Sequence, residues 1–311
     1  MKTAMALVTS ILLAVVVPGT VAGETAGFNK LVVPANGDAL VCVPFLQTAE
    51  GAYTVEATTA TEIQVAGAPF TAGEYDGTHY VRMTDGDGEG LWSTIATTST
   101  GSLTLENADI LGFVNAGDAF RVVPHHTIGS LFPAEKEGIS HVPNSTQVLL
   151  YRNDINNMLE NKAAAVTALY LGNGVWFGAG VSEATVVPPE TRFTVRNNGG
   201  EDLVLAMHGT VPDYNVSMLV APNGDLDVGT GYPVPVVLDQ AGLEGSLRKV
   251  LIFDNTTSVQ NRAASKTALW TGTGWFGFGV DGSTELAPSE SITLRLSQSE
   301  AAMKLTIPKP Y

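Results

Sequence analysis

Apolar positions along this chain come in short runs separated by glycine, proline, asparagine and aspartate, rather than at helical spacing. Lys30–Pro34 and Ala39–Leu46 flank Ala35-Asn36-Gly37-Asp38, and Asn-Gly between two such runs predicts a β-hairpin. Thr54–Val65, Thr78–Thr84, Leu91–Thr97 and Ser102–Leu105 follow as further β-rich segments at turn-like spacing. In Ala119–Val123, Phe120 and Val122 fall on one face and Arg121 on the other, as in a half-buried strand. Glu106–Phe113 reads as a single helical turn, and Asp239–Leu247 as a short helix. Pro133–Pro143, with mixed charge and a proline at each end, reads as a linker.

One stretch occurs twice. Asn161–Val181 is NKAAAVTALYLGNGVWFGAGV and Asn261–Val280 is NRAASKTALWTGTGWFGFGV, with Val175 extra in the first copy. Each reads as strand, glycine turn and strand. Upstream, VLLYRN at Val148–Asn153 matches VLIFDN at Val250–Asn255. Downstream, Thr185–Arg196 matches Thr284–Arg295, with Phe193 and Val195, or Ile292 and Leu294, alternating with polar residues.

These patterns predict an all-β protein of sandwich- or barrel-like modules, internally duplicated in its C-terminal half and carrying few short helices. The predicted organisation is a leader over 1–23, an N-terminal β-module over 24–134 and a duplicated region over 144–311. Its repeat units run over about 148–197 and 250–296. Thr78-His79-Tyr80, Leu91-Trp92 and Phe120-Arg121-Val122 follow the order of parts in the repeat, so the N-terminal module is a candidate third, diverged copy.

Composition agrees with this picture. The chain has 311 residues, 44% hydrophobic and only 15% charged, with 33 glycines. A net charge of −15 gives no electrostatic footprint for nucleic acid or anionic lipid. At the N-terminus, Lys2 precedes the apolar run Ala4–Val17 and the small residues Val21-Ala22-Gly23, the pattern of a secretory signal peptide cleaved near Gly23. The run is too short to span a bilayer comfortably and no second one approaches that length, so an exported product without a transmembrane segment is expected. Its destination would be the periplasm, the cell surface or the extracellular space. The single cysteine, Cys42, cannot form an internal disulfide, and its apolar neighbours mark it as a buried hydrophobe.

Gly27-Phe28 leading into KLVVPANGDALVCVPF, Ala116-Gly117-Asp118-Ala119-Phe120-Arg121 running into VPHHTIGSLFP, and the blocks VLLYRN…NKAAA and VLIFDN…NRAAS carry a resemblance. Together they resemble a family of exported bacterial proteins of unknown function, conserved hypothetical proteins of the Verrucomicrobia, over nearly the whole mature chain. Members of that family carry Trp-Arg-Lys-Val-Gly after the glycine turn, where this chain has Trp176-Phe177-Gly178 and Trp275-Phe276-Gly277. The resemblance implies export and a shared fold, and no activity.

Three sets of residues are candidates for chemistry. Asp85-Gly86-Asp87-Gly88-Glu89-Gly90 places oxygens at alternate positions among glycines, which suits Ca²⁺. The twelfth position of an EF-hand register would be Ala96 rather than Glu, so Asp85, Asp87 and Glu89 read either as a Ca²⁺ site or as a solvated turn. Of the five histidines, His125 and His126 are adjacent, and in an extended segment they point to opposite faces, a poor chelate. The hairpin aromatics Tyr170, Trp176, Trp270 and Trp275 are candidate ligand-binding residues. Trp176 and Phe177 must face opposite sides of their strand, as must Trp275 and Phe276. Burial of both faces is the ordinary outcome; one exposed ring per hairpin would stack on a sugar or pack on a partner.

No nucleophile elbow, metal-binding histidine spacing or phosphate loop occurs. The expected function is therefore a non-enzymatic structural or binding protein of the envelope or extracellular space, with a polysaccharide or another envelope protein as partner. Carbohydrate binding through the hairpin aromatics is one alternative. A secreted hydrolase, with a site that only the fold would assemble, is the other.

Overall fold

In a computed structural model, which describes residues 25–133, 143–153, 160–220, 224–245, 248–296 and 303–311, the chain is almost entirely β. The leader-like run, His141, Asn223 and most of Pro133–Pro143 lie outside the described residues.

Alternation fixes the sheets. In Thr146–Leu150, Thr146, Val148 and Leu150 are buried and Gln147 and Leu149 are not, so one face packs on the core. Two five-stranded antiparallel sheets are built to one plan. The first runs Val175–Phe177, Val166–Gly172, Thr146–Leu150, Phe193–Asn197, Asp38–Val41. The second runs Trp275–Phe276, Lys266–Trp270, Lys249–Ile252, Ser291–Leu296, Gly224–Gly229. Each sheet has a companion ribbon, Ala26–Val33 with Leu203–Thr210 in the first and Val216–Val220 with Met303–Ile307 in the second. Each also has a small ladder, His126–Thr127 with Val186–Val187 and Val236–Val237 with Glu285–Leu286. A short helical turn follows the first strand of each ladder, Ile128–Leu131 and Leu238–Gln240. The extra Val175 is absorbed by a shift of register between Tyr170 and Gly172.

The repeat is thus wider than its most similar stretch, and the first copy is interrupted. Strand pairing puts Ala26–Val33 and Asp38–Val41 with the first unit rather than with the module that follows them. Between Val41 and His126 sits a seven-stranded sheet, ordered Gly51–Thr54, Ala119–Pro124, His79–Met83, Trp92–Thr98, Ser102–Leu105, Glu62–Gln64, Ala57–Thr58. Its two edge strands are joined only by Val55-Glu56, which forces the sheet to curl on itself, and Val55 falls in its core. That strand order differs from the order in the two units. Pairing between strands distant in sequence leaves no local pattern, so reading along the chain places a boundary after this insert rather than on both sides of it.

Asn36-Gly37 does not close the predicted hairpin. Ala26–Val33 and Asp38–Val41 pair with different strands, and the turn is a corner between sheets. A two-residue hairpin turn of this type needs positive φ at both central positions, and only Asn36, at 53°, has it. Gly37 instead lies against the main chain of Thr257 and Ser258 in the second unit.

Each unit and the insert has its own apolar core, centred on Val148, Phe193 and Leu205, on Val250, Leu294 and Ile307, and on Ile63, Ile95 and Phe120. They meet at a small cluster of Leu46, Tyr80, Val123 and Tyr214.

Candidate functional site at the seam between the units

The hairpin aromatics divide by face. Tyr170, Trp176 and Trp275 are buried and Trp270 is half-buried, with ring centroids 5.1 Å apart for Tyr170–Trp176 and 5.3 Å for Trp270–Trp275. The rings offered to solvent are Phe177, Phe276 and Phe278, at 67%, 71% and 100% exposure. Burial of both faces, the ordinary expectation, does not occur, because each hairpin ends its sheet and only one side is covered.

The acidic loop acts as a clasp. Asp85 Oδ1 accepts the Ala119 N–H at 2.6 Å, and Glu89 accepts the main-chain and side-chain N–H groups of Asn215 at 3.0 and 2.9 Å. Lys304 donates to the Asp87 carbonyl. The carboxylates of Asp85 and Glu89 thus serve different protein donors, and no three metal-ligating side chains cluster among the described residues. Cys42 is buried and burial pushes its thiol up, away from reactivity. His125 is buried with Nε2 3.1 Å from Thr94 Oγ1, and His126 Nε2 donates to the Phe45 carbonyl at 3.0 Å.

The densest polar structure lies where the units meet, and it is reciprocal. Asp38 and Arg196 are directly opposed on neighbouring strands, as are Asp225 and Arg295. Arg196 holds Asp38 through Nε and Nη2 at 2.8 and 2.9 Å; Arg295 holds Asp225 in the same way at 2.7 and 2.8 Å. Each fork also grips the other unit. Asp38 accepts the Asn261 N–H at 2.8 Å while Arg196 donates to Asn261 Oδ1 at 2.7 Å. Asp225 and Arg295 do the same for Asn161, at 2.7 and 3.0 Å. Asn161 and Asn261 stand at φ of 52° and 51°, a conformation asparagine tolerates.

The open sheet edges are closed the same way. Asn255 donates to Leu40 O at 3.1 Å and accepts the Leu40 N–H at 2.9 Å. Asn153 does so for Asp227, at 2.8 and 3.1 Å. A side-chain amide from one unit thus stands in for a neighbouring strand of the other.

These contacts enclose a cavity of roughly 310 Å³ lined by both units. Here the symmetry breaks. Ser291 and Phe253 of the second unit and Leu40 of the first have Arg192, Tyr151 and Asp227 as their counterparts in the other copy, and these three line the cavity. Arg192 Nη1 lies 2.9 Å from both Asp227 Oδ1 and Thr293 Oγ1, and Thr293 donates to Asp227 at 2.6 Å. The guanidinium sits 4.4 Å from the Tyr151 ring centre and 5.6 Å from that of Phe253. Lys162 Nζ donates to Asn153 Oδ1 and Asp225 O at 2.8 and 2.9 Å and lies 3.6 Å from Asp227 Oδ2. Burial pushes the Lys162 ammonium down, against the pull of Asp227. Tyr151 and Asn153 also line a groove of about 540 Å³ toward the insert, where Trp92 and Glu106 face them.

The sequence reading passed over Arg192, Asp227, Lys162 and Tyr151. The signal that could have found them is the comparison of the two copies, where NGDALV faces NGDLDV and TRF faces ESI. No known family, curated protein or solved structure matches the chain.

Proposed function

We propose that this is an exported, non-enzymatic structural or binding protein of the envelope or extracellular space, making contact through the outer ends of its two like sheets. The observation that carries the reading is the repeated hairpin: both copies bury the tryptophan and expose the following phenylalanine, Phe177 or Phe276. Each hairpin is the sheet edge farthest from the seam strands, so the apolar tips stand apart. Leaving a phenyl group in water forgoes about 1.5–3 kcal/mol of burial, a cost that contact with a partner recovers. Two like tips bind one extended partner, a polysaccharide or an envelope protein, with avidity neither has alone. The leader-like N-terminus supports export.

Cosedimentation of the mature protein with envelope preparations from the producing cell tests this. Phe177→Ser alone should weaken binding modestly, as should Phe276→Ser with Phe278→Ser. All three together should abolish it, by more than the product of the separate losses. Full binding by the triple variant would overturn the reading.

A further inference from the structure

We infer that the charged half of the seam cavity is a binding site for a small organic carboxylate, held by Arg192. The duplication supplies an internal control. Asp38/Asp225, Arg196/Arg295, Asn161/Asn261 and Asn153/Asn255 are the same in both copies and build the seam. Arg192 and Asp227 have Ser291 and Leu40 as their counterparts, so the same fold position is satisfied without charge. A buried ion pair confers little stability over a well-packed apolar pair, and the counterpart half does without one. Stability therefore does not account for the Arg192–Asp227 pair.

The geometry points to what it holds. Arg192 uses Nη1 for Asp227 and Thr293, on one side of the guanidinium. Its Nε is buried without a hydrogen-bond partner among the described residues. The Nε–Nη2 edge is the edge by which Arg196, which lines the same cavity, and Arg295 each hold a carboxylate. Close to Arg192 the charges are Arg192 and Lys162 against the single carboxylate of Asp227, while across the cavity Arg262 faces Asp254 and Glu290. The hydroxyls of Thr194 and Thr293 line the same space, and roughly 310 Å³ admits nothing much larger than a single acidic sugar or an amino acid.

Calorimetric titration and thermal shift of the mature chain with millimolar acetate, D-glucuronate and L-alanine, against D-glucose, test the inference. At least one carboxylate should bind and raise Tm, and glucose should do neither. Arg192→Ser, which installs the counterpart residue, should weaken that binding by about tenfold or more. The double variant Arg192→Ser/Asp227→Leu installs the counterpart residues at both positions, and should keep Tm within a few degrees of the parent while losing the ligand. That variant decides the matter if Arg192→Ser alone fails to fold. The inference is overturned if no carboxylate binds, if glucose binds as well as glucuronate, or if the double variant retains affinity.

Discussion

Arg82 shows how a single side chain joins the insert to the duplicated body. It is fully buried, donates to Gly90 O at 2.7 Å and to Glu190 Oε1 at 2.5 Å, and lies 5.6 and 5.7 Å from the ring centres of Tyr80 and Tyr214. Burial pushes the Glu190 carboxyl up, and Arg82 pulls it back down. Arg82→Met would strand that carboxylate in the core and should cost about 3–5 kcal/mol in urea denaturation. Adding Glu190→Ser, the residue at the equivalent Ser289, should recover most of the loss. His125 gives a second residue-scale test. Burial, chiefly, holds its imidazole down at about 3, so the folded protein carries it neutral while the unfolded chain binds a proton below about 6.5. Its contribution is intact above pH 6.5 and is lost as pH falls toward 3, with about 2 kcal/mol gone by pH 5. Denaturant midpoints for His125→Gln should lack that part of the acid dependence; an unchanged pH profile would show that the ring is not neutral by burial.

At the scale of elements, the seam is two edge strands closed by asparagines rather than by a third strand. Asn255→Ala leaves the Leu40 main-chain N–H and C=O unpaired and Asn153→Ala leaves the Asp227 N–H unpaired, its carbonyl still accepting the Arg192 N–H at 3.1 Å, and each should cost about 1–3 kcal/mol by chemical denaturation. If only one of the two costs stability, the reciprocity seen in the distances does not carry through to energetics. The elements themselves were largely legible in the sequence. Alternation located Phe193–Asn197, Ser291–Leu296 and Ala119–Pro124, and the helical turn expected within Glu106–Phe113 is the short helix Ala108–Phe113. The glycines after each Trp-Phe are points of close approach: a Cβ on Gly178 or Gly277 would press into the carbonyl of Thr167 or Thr267. Partnership between elements was not legible. Asn36-Gly37 has the residues of a hairpin turn, and the chain uses them for a corner because Asp38 and Gly37 are engaged by the second unit. The seam escaped for a related reason: Asp38, Arg196 and Asn261 are far apart in sequence, and nothing local to any of them names the other two.

For the whole molecule, the arrangement is that of two units of like strand order with a third sheet set into the first. The second unit shows what the uninterrupted connection looks like, since Gly224–Gly229 passes to Val236–Val237 through only Thr230-Gly231-Tyr232-Pro233-Val234-Pro235. In the first unit the same path, from Asp38–Val41 to His126–Thr127, carries the entire insert. Near the start of these connections Cys42 meets its own counterpart, Gly229, whose hydrogen would be replaced by a clash with Cys42 if it bore a Cβ. Their N–H groups bond to opposite units, Cys42 to Ser289 O at 3.0 Å and Gly229 to Glu190 O at 3.1 Å. A side chain fits on one side of this contact only, so the two halves cannot be identical there. It follows that the insert is separable and the seam is not. Replacing the residues between Val43 and His125 with the second unit's connector, together with Glu190→Ser to remove the carboxylate that Arg82 would no longer pair, should give a soluble two-unit protein. Its far-ultraviolet circular dichroism should remain β and its urea unfolding cooperative, and it should keep the carboxylate response of the intact chain, because Arg192, Asp227 and Lys162 all come from the two units. Splitting the units at the seam should instead expose both sheet edges and give aggregation. If the excised protein aggregates while the separated units stay monomeric, the insert rather than the seam holds the body together.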